Sequence, residues 1–186
     1  METNEYRLDI VSVRLVRDSH ILSKEKISDP ESAIKVAGEL LKDLDREVVA
    51  VINLKTDGTP INLHVASMGG LQSSIVEPRE LLKASILSNA ARLVMVHNHP
   101  SGDVTPSRDD IRITDRIARV CDMVGIPLLD HVIVGGDSRS YFSFSEKGMV
   151  RYEEPIRYKT EINELKLGEM TERRSRENGK QEVYRR

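Results

Sequence analysis

Residues 93–110 read Leu93-Val94-Met95-Val96-His97-Asn98-His99-Pro100-Ser101-Gly102-Asp103-Val104-Thr105-Pro106-Ser107-Arg108-Asp109-Asp110. The apolar run Leu93–Val96 has the length and composition of a buried strand. Side chains two apart on a strand point to one face, so His97 and His99 reach a common point while Asn98 turns away. Pro100 has no N–H to give to a ladder and closes the strand. Ser107-x-x-Asp110, directly after Pro106, is a helix start with its acidic residue inside the first turn. A carboxylate there faces back toward the two histidines. Two imidazoles and one carboxylate are the donor set of a catalytic zinc whose fourth position is open.

Outward from this strand, loop and helix, the remaining pattern is a sheet covered by helices. Leu8–Val16 is rich in β-branched residues and partly alternating, which predicts an N-terminal strand within an extension over 1–26. His20 falls in the polar turn behind it. Asp29-Pro30 supplies an N-cap and a first-turn proline, and Ile34, Ala37, Leu41 and Leu44 give the helix that follows one apolar stripe. Glu47–Leu54 is a strongly apolar strand, Asp57-Gly58 a hairpin turn, Ile61–Val65 the returning partner, and Gly69-Gly70 its end. Arg79–Ala91 repeats an apolar spacing through Leu82, Ile86 and Ala90. Ser107–Val124 places Ile111, Thr114, Ile117, Cys121 and Val124 inward and stops at Gly125. Leu128–Val134 and the short Tyr141–Phe144 are strands. The expected class is therefore α/β (α+β), with mixed strand directions because a hairpin is present.

The chain has 186 residues and a formal net charge of −2, which gives no basic footprint of a nucleic-acid binder. No apolar run approaches the length that crosses a bilayer, and the N-terminus is polar where a signal peptide is greasy, so the expected location is cytoplasmic, with no membrane partner. One cysteine, Cys121, allows no internal disulfide and fits a reducing compartment; its helical position predicts a buried, inert thiol. From Arg151 the composition turns polar and charged with both signs mixed. Residues 151–186 therefore read as a solvated tail rather than part of the core.

The spacing H-x-H-P-x(6)-S-x-x-D matches the JAMM motif of the MPN/JAB metalloprotease superfamily. The longer string HNHPSGD-x-TPS-x-x-D, with VEPRE upstream and LLDHVIVG downstream, resembles the RadC-like branch of it. The similarity covers about Ile27 to Val150. It implies an MPN/JAB domain over 27–150: a curved mixed sheet flanked by helices, in a fold similar to that of cytidine deaminases. It also implies a zinc-dependent peptidase with one zinc per chain, held by His97, His99 and Asp110. Its general base is a glutamate at the start of an early core strand, and Glu47 stands in the matching place. The residues alone do not separate Glu47 from Glu77 or Glu80. The resemblance further gives Ser107 the role of donor to the tetrahedral oxyanion, in competition with its use as an N-cap. Asp130-His131 matches a pair in the family and is expected to support the site or the core rather than ligate. His64 is expected to be structural or at the surface.

Such enzymes cut peptide or isopeptide bonds beside ubiquitin-like or small peptide partners, so the expected partner is a peptide or protein substrate whose identity the sequence does not encode. A DNA-repair or mobile-element protein acting on DNA is the rival reading. It is weakened because longer RadC-like proteins carry a helix-hairpin-helix region, and this chain begins close to the catalytic domain. The spacing is also not that of HNH nucleases. A zinc nucleobase deaminase needs H-x-E and P-C-x-x-C, which a single cysteine cannot supply. A non-catalytic MPN interaction module is disfavoured because every ligand is present.

Overall fold

The computed structural model describes residues 9–41, 44–69, 76–136 and 140–150. Its elements are α1 (Pro30–Leu41), β1 (Val48–Leu54), β2 (Pro60–Met68), α2 (Pro78–Leu87), β3 (Arg92–His99), α3 (Arg108–Val124), β4 (Leu128–Gly135) and β5 (Tyr141–Ser143). The strands form one sheet in the order β2-β1-β3-β4-β5. β1 is antiparallel to β2 and β3, β3 is parallel to β4, and β5 is antiparallel to β4. This is a mixed α+β sheet, as the alternation of strands, helices and one hairpin required.

β1 and β3 lie inside the sheet and are buried on both faces, which is why β1 and the Leu93–Val96 run of β3 are almost wholly apolar instead of alternating. Leu93 and Met95 of β3 join Val49 and Val51 of β1, Ile117 and Cys121 of α3, and Leu81 and Leu82 of α2 in one core. Val94 and Val96 join Ala50, Ile52, Val132 and the α1 residues Ala33, Ile34, Ala37 and Leu41 in the other. Two apolar layers thus clamp β3, and its last residues, His97, Asn98 and His99, are buried as well. Because β3 and β4 are parallel, the chain must cross over between them, and α3 is that crossover. Its first turn stands at the carboxyl end of β3, the usual ligand-binding end of a parallel pair.

Local chemistry fixes the element ends. Asp29 caps α1 by accepting from the Ser32 N–H at 2.8 Å. Gly58 has φ +83°, and a Cβ there would lie 2.8 Å from the Ile27 carbonyl oxygen, so the β1–β2 turn requires glycine. Gly125 ends α3 with φ +77°.

Three expectations are corrected. Residues 9–16 form no strand; they are irregular and exposed, Ile10 and Val16 included, because no sheet edge receives them. β-propensity alone does not make a strand. In α2 the buried face is Leu81, Leu82, Ala84 and Ser85, and Ile86 is turned outward. In α3 the inward stripe is Asp110, Thr114, Ile117 and Cys121, whereas Ile111 and Val124 are exposed. The stripe begins on the acidic residue, so an apolar period misplaces its start. Leu8, Gly70 and the expected tail 151–186 lie outside the described residues. Among the described residues no helix is long and apolar enough to cross a membrane.

Candidate metal centre

Alternation along β3 sends His97 and His99 to the α3 side, as the i, i+2 spacing required. Their Nε2 atoms are 2.9 Å apart. Asp110 enters from the first turn of α3: its Oδ1 lies 3.4 Å from His97 Nε2, and its Oδ2 lies 3.7 Å from His99 Nε2. Donor atoms on the corners of a zinc tetrahedron with bonds of about 2.0–2.1 Å are about 3.3 Å apart, so these separations bracket that geometry. All three side chains are buried, and their ligand atoms fall within 4.8 Å of one another.

Asp110 reaches this position because its other oxygen is tied down. Oδ2 accepts from the Ser107 N–H at 2.7 Å, while Ser107 Oγ accepts from the Asp110 N–H at 3.1 Å. This reciprocal capping box fixes the carboxylate and leaves Oδ1 aimed at the imidazoles. Asp110 Oδ1 is fully buried and accepts no hydrogen bond among the described residues. A buried carboxylate oxygen without a donor is costly unless a cation completes it.

The outer nitrogens of the histidines show which atoms face that cation. His99 Nδ1 is 2.6 Å from the Asp103 carbonyl, so Nδ1 carries the proton and Nε2 the lone pair. His97 Nδ1 meets His131 Nε2 at 2.6 Å, and His131 Nδ1 meets Thr114 Oγ1 at 2.6 Å. Thr114 donates its only hydroxyl proton to the Asp110 carbonyl at 2.6 Å. His131 Nδ1–H must then donate to Thr114, its Nε2 must accept, and His97 Nδ1–H must be the donor. With neutral rings, this leaves a lone pair on His97 Nε2 as well. Two Nε2 lone pairs and one carboxylate oxygen therefore converge, with no proton left to place between them.

Protonation is a poor remedy. Burial lowers the His97 pKa from 6.5 to about 4; Asp110 acts in the opposite direction and His99 in the same one. Burial also holds His131 well below its ordinary value. His131 is fixed from below by stacking on Phe144, with ring centroids 4.8 Å apart. The donor set fits a divalent metal, with His131 and Thr114 orienting one ligand from behind.

The expected Asp130-His131 pair is divided by the sheet. His131 faces the metal centre, whereas Asp130 accepts from Ser143 Oγ at 2.6 Å and from the Ser145 N–H at 2.8 Å on its own account. Glu47 immediately precedes β1. Val49 pairs with His97, so continuing that register brings Glu47 level with His99, on the face that Val49 and His97 share. The other two candidates lie at the start of α2, Glu77 as its N-cap residue against Arg116 at 3.4 Å and Glu80 in its first turn against Lys83. Ser107 is exposed, and capping occupies a lone pair of its oxygen rather than its proton. The competition between cap and donor therefore dissolves. Cys121 is buried, and that burial pushes its thiol up to about 12. His20 is exposed and His64 half-buried on β2. The sequence reading missed Thr114 as a polar partner and the grip of Asn98 on the chain before β1. A hydroxyl one turn after Asp110 was the available signal for the first.

A family model described as "RadC-like JAB domain" matches residues 27–149. A "UPF0758 protein" of Salinibacter ruber is 42% identical over 125 residues, covering 67% of this chain and 53% of that protein. A "UPF0758 protein" of Clostridium perfringens is 44% identical over 129 residues, covering 69% and 56%. The chain thus spans about half the length of these curated relatives. With the match covering most of its length and the sheet carrying the motif, the chain belongs to the RadC-like JAB domain family.

Proposed function

We propose that residues 27–150 form a zinc-dependent metallopeptidase that hydrolyses a peptide or isopeptide bond, with His97, His99 and Asp110 as the ligands of one zinc. The observation that carries this reading is the buried Asp110 Oδ1, without a hydrogen-bond partner among the described residues and facing two imidazole nitrogens whose outer nitrogens are already engaged. The donor set is hard oxygen and imidazole, with three protein ligands, as in hydrolytic zinc sites.

Bound there, zinc supplies Lewis acidity that activates a water and polarises the scissile carbonyl. Glu47 takes one proton from the attacking water as its oxygen bonds to the carbonyl carbon. The exposed Ser107 hydroxyl donates its free proton in a hydrogen bond to the oxyanion. Glu47 then passes its proton to the departing nitrogen as the C–N bond breaks, giving an acid and an amine. A peptide or protein is the partner this chemistry needs, and a net charge of −2 argues against DNA in that place. The lone, buried Cys121 supports a cytoplasmic setting.

The test compares wild type with Glu47→Gln on a fluorescence-quenched peptide library, on lysine isopeptides and on single- and double-stranded DNA. Both proteins should hold about one zinc with similar melting temperatures, and amide hydrolysis should fall at least about a hundredfold in the variant. Chelation should abolish the wild-type activity and zinc restore it. DNA cleavage lost in the variant, with no amide hydrolysis by either protein, would overturn the reading in favour of a nuclease.

A further inference from the structure

We propose that Asn98, the residue between the two histidines, is a positioning residue that holds Glu47 in place; the inference rests on the hydrolytic reading above. Asn98 is 1% exposed and faces away from the metal centre. Its Oδ1 accepts from the Val48 N–H at 2.8 Å, and its Nδ2 donates to the Arg46 carbonyl at 3.1 Å. One side-chain amide thus pairs with the main chain on both sides of Glu47, as a neighbouring strand would. The Glu47 carbonyl is held from the other side by the Gly69 N–H at 2.9 Å. Gly69 has φ +122°, a conformation open to glycine.

The β1–β3 ladder begins at Val49 and His97, so Glu47 lies beyond the last strand pair. Pairing with β3 therefore does not reach its backbone, and on that side Asn98 substitutes for the missing pairing. The same strand that carries His97 and His99 inward carries Asn98 outward, so base and ligands are referred to one rigid element. Asparagine suits this place because its amide offers a donor and an acceptor in one plane. Aspartate lacks the donor and serine the reach. A displacement of the base by about 1 Å is enough to cost a hydrolytic site much of its rate.

The experiment uses the full zinc-loaded chain with Asn98→Ala, Asn98→Ser, Glu47→Gln and the double variant Glu47→Gln/Asn98→Ala. Asn98→Ser keeps a polar group in the space and serves if Asn98→Ala does not fold. Hydrogen exchange of the Val48 amide should quicken at least about tenfold in the Asn98 variants, with mid-strand Met95 unchanged. On the quenched peptide library kcat should fall about ten- to hundredfold, with KM within about twofold and zinc content retained. In the Glu47→Gln background the same change should have no further effect on rate, because a positioning residue acts only through the group it positions. Unchanged Val48 protection, or an equal loss of rate with and without Glu47, would overturn the inference while leaving the hydrolytic reading intact. Hydrolysis that does not depend on Glu47 would overturn both.

Discussion

Among the described residues two carboxylates are buried, Asp130 on β4 and Asp110 on the first turn of α3, and they are treated in opposite ways. Asp130 has both oxygens satisfied, one by Ser143 Oγ and one by the Ser145 N–H. Burial raises its pKa, and those hydrogen bonds act against the rise. Asp110 has one oxygen in the capping box and the other without a hydrogen-bond donor among the described residues, beside two imidazole nitrogens. The cleft beside the former does not coincide with the latter. A cleft of about 520 Å³ opens at the Asp130 end of the sheet, lined in part by Arg92, the first residue of β3, whereas the His97–His99–Asp110 cluster sits at the other end of that strand. Concavity and incompleteness thus separate here. A closed set of partners marks a carboxylate that holds the fold together, and an open oxygen marks one whose partner comes from outside.

The strongest way to break that contrast is Asp110→Asn. The amide oxygen can still accept from the Ser107 N–H, so the cap survives, but the negative ligand is gone. Zinc content should drop from about one equivalent to below about a tenth, and hydrolysis with it, while metal-free stability should change by less than about 1 kcal/mol. Metal analysis and denaturant titration read the two effects. A variant that keeps its zinc would remove Asp110 from the ligand set.

Acid should next unsettle the metal-free protein. His97 has a folded pKa of about 4 and His131 one well below 6.5, both because burial disfavours the charged ring. A folded value depressed below the unfolded one means that the stabilising effect is complete above pH 6.5 and is lost as pH falls toward 4. The denaturation midpoint of metal-free protein should therefore fall over that window, and bound zinc should delay the fall. Asp130 acts with opposite sign. Its raised pKa favours the protonated form in the fold, so its contribution is present in acid and lost as pH rises. Asp130→Asn should make the acid limb steeper, and an unchanged midpoint between pH 6.5 and 4.5 would show that the histidines titrate freely.

Asp130→Ala tests the structural half of the comparison. It strands Ser143 Oγ and the Ser145 N–H in a largely buried place and should cost about 1–3 kcal/mol in unfolding free energy. Zinc stoichiometry should stay at about one. Loss of metal with the fold intact would mean that the two carboxylates are not independent.

How much of this was legible beforehand follows from the range of the interactions. The convergence of His97, His99 and Asp110 and the capping box were readable because β alternation and the first helical turn are local geometry: these residues and Ser107 lie on one continuous stretch of chain. The strands buried on both faces were readable from the apolar runs Val48–Ile52 and Leu93–Val96. The strand expected over Leu8–Val16 failed on its described residues for the converse reason. A strand exists only against a partner, and no local pattern states whether an edge is available. Thr114 and His131 are 17 residues apart, and Asn98 and Arg46 are 52 apart. Their contacts depend on the β3–β4 register and on the β1–β3 pairing, which periodicity does not encode. Glu47 entered through resemblance alone, and the β1–β3 register is what gives it a physical place.

The smallest expected effect belongs to Thr114→Val, which keeps the shape of the side chain and removes one hydroxyl. Thr114 does not touch the metal position. It sets the direction of the hydrogen-bond chain, since its proton goes to the Asp110 carbonyl and obliges His131 Nδ1 to donate. Without it, His131 is free to adopt the other tautomer and donate from Nε2 to His97 Nδ1, which would move the His97 proton to Nε2, where it competes with zinc. The fold should lose about 1 kcal/mol, and zinc affinity should weaken about tenfold with stoichiometry unchanged at saturation. Thr114→Ser, which keeps the hydroxyl, should recover most of the affinity. If valine and serine bind zinc equally well, the orientation of His97 does not depend on this chain, and His131 is then core packing like the Phe144 ring beneath it.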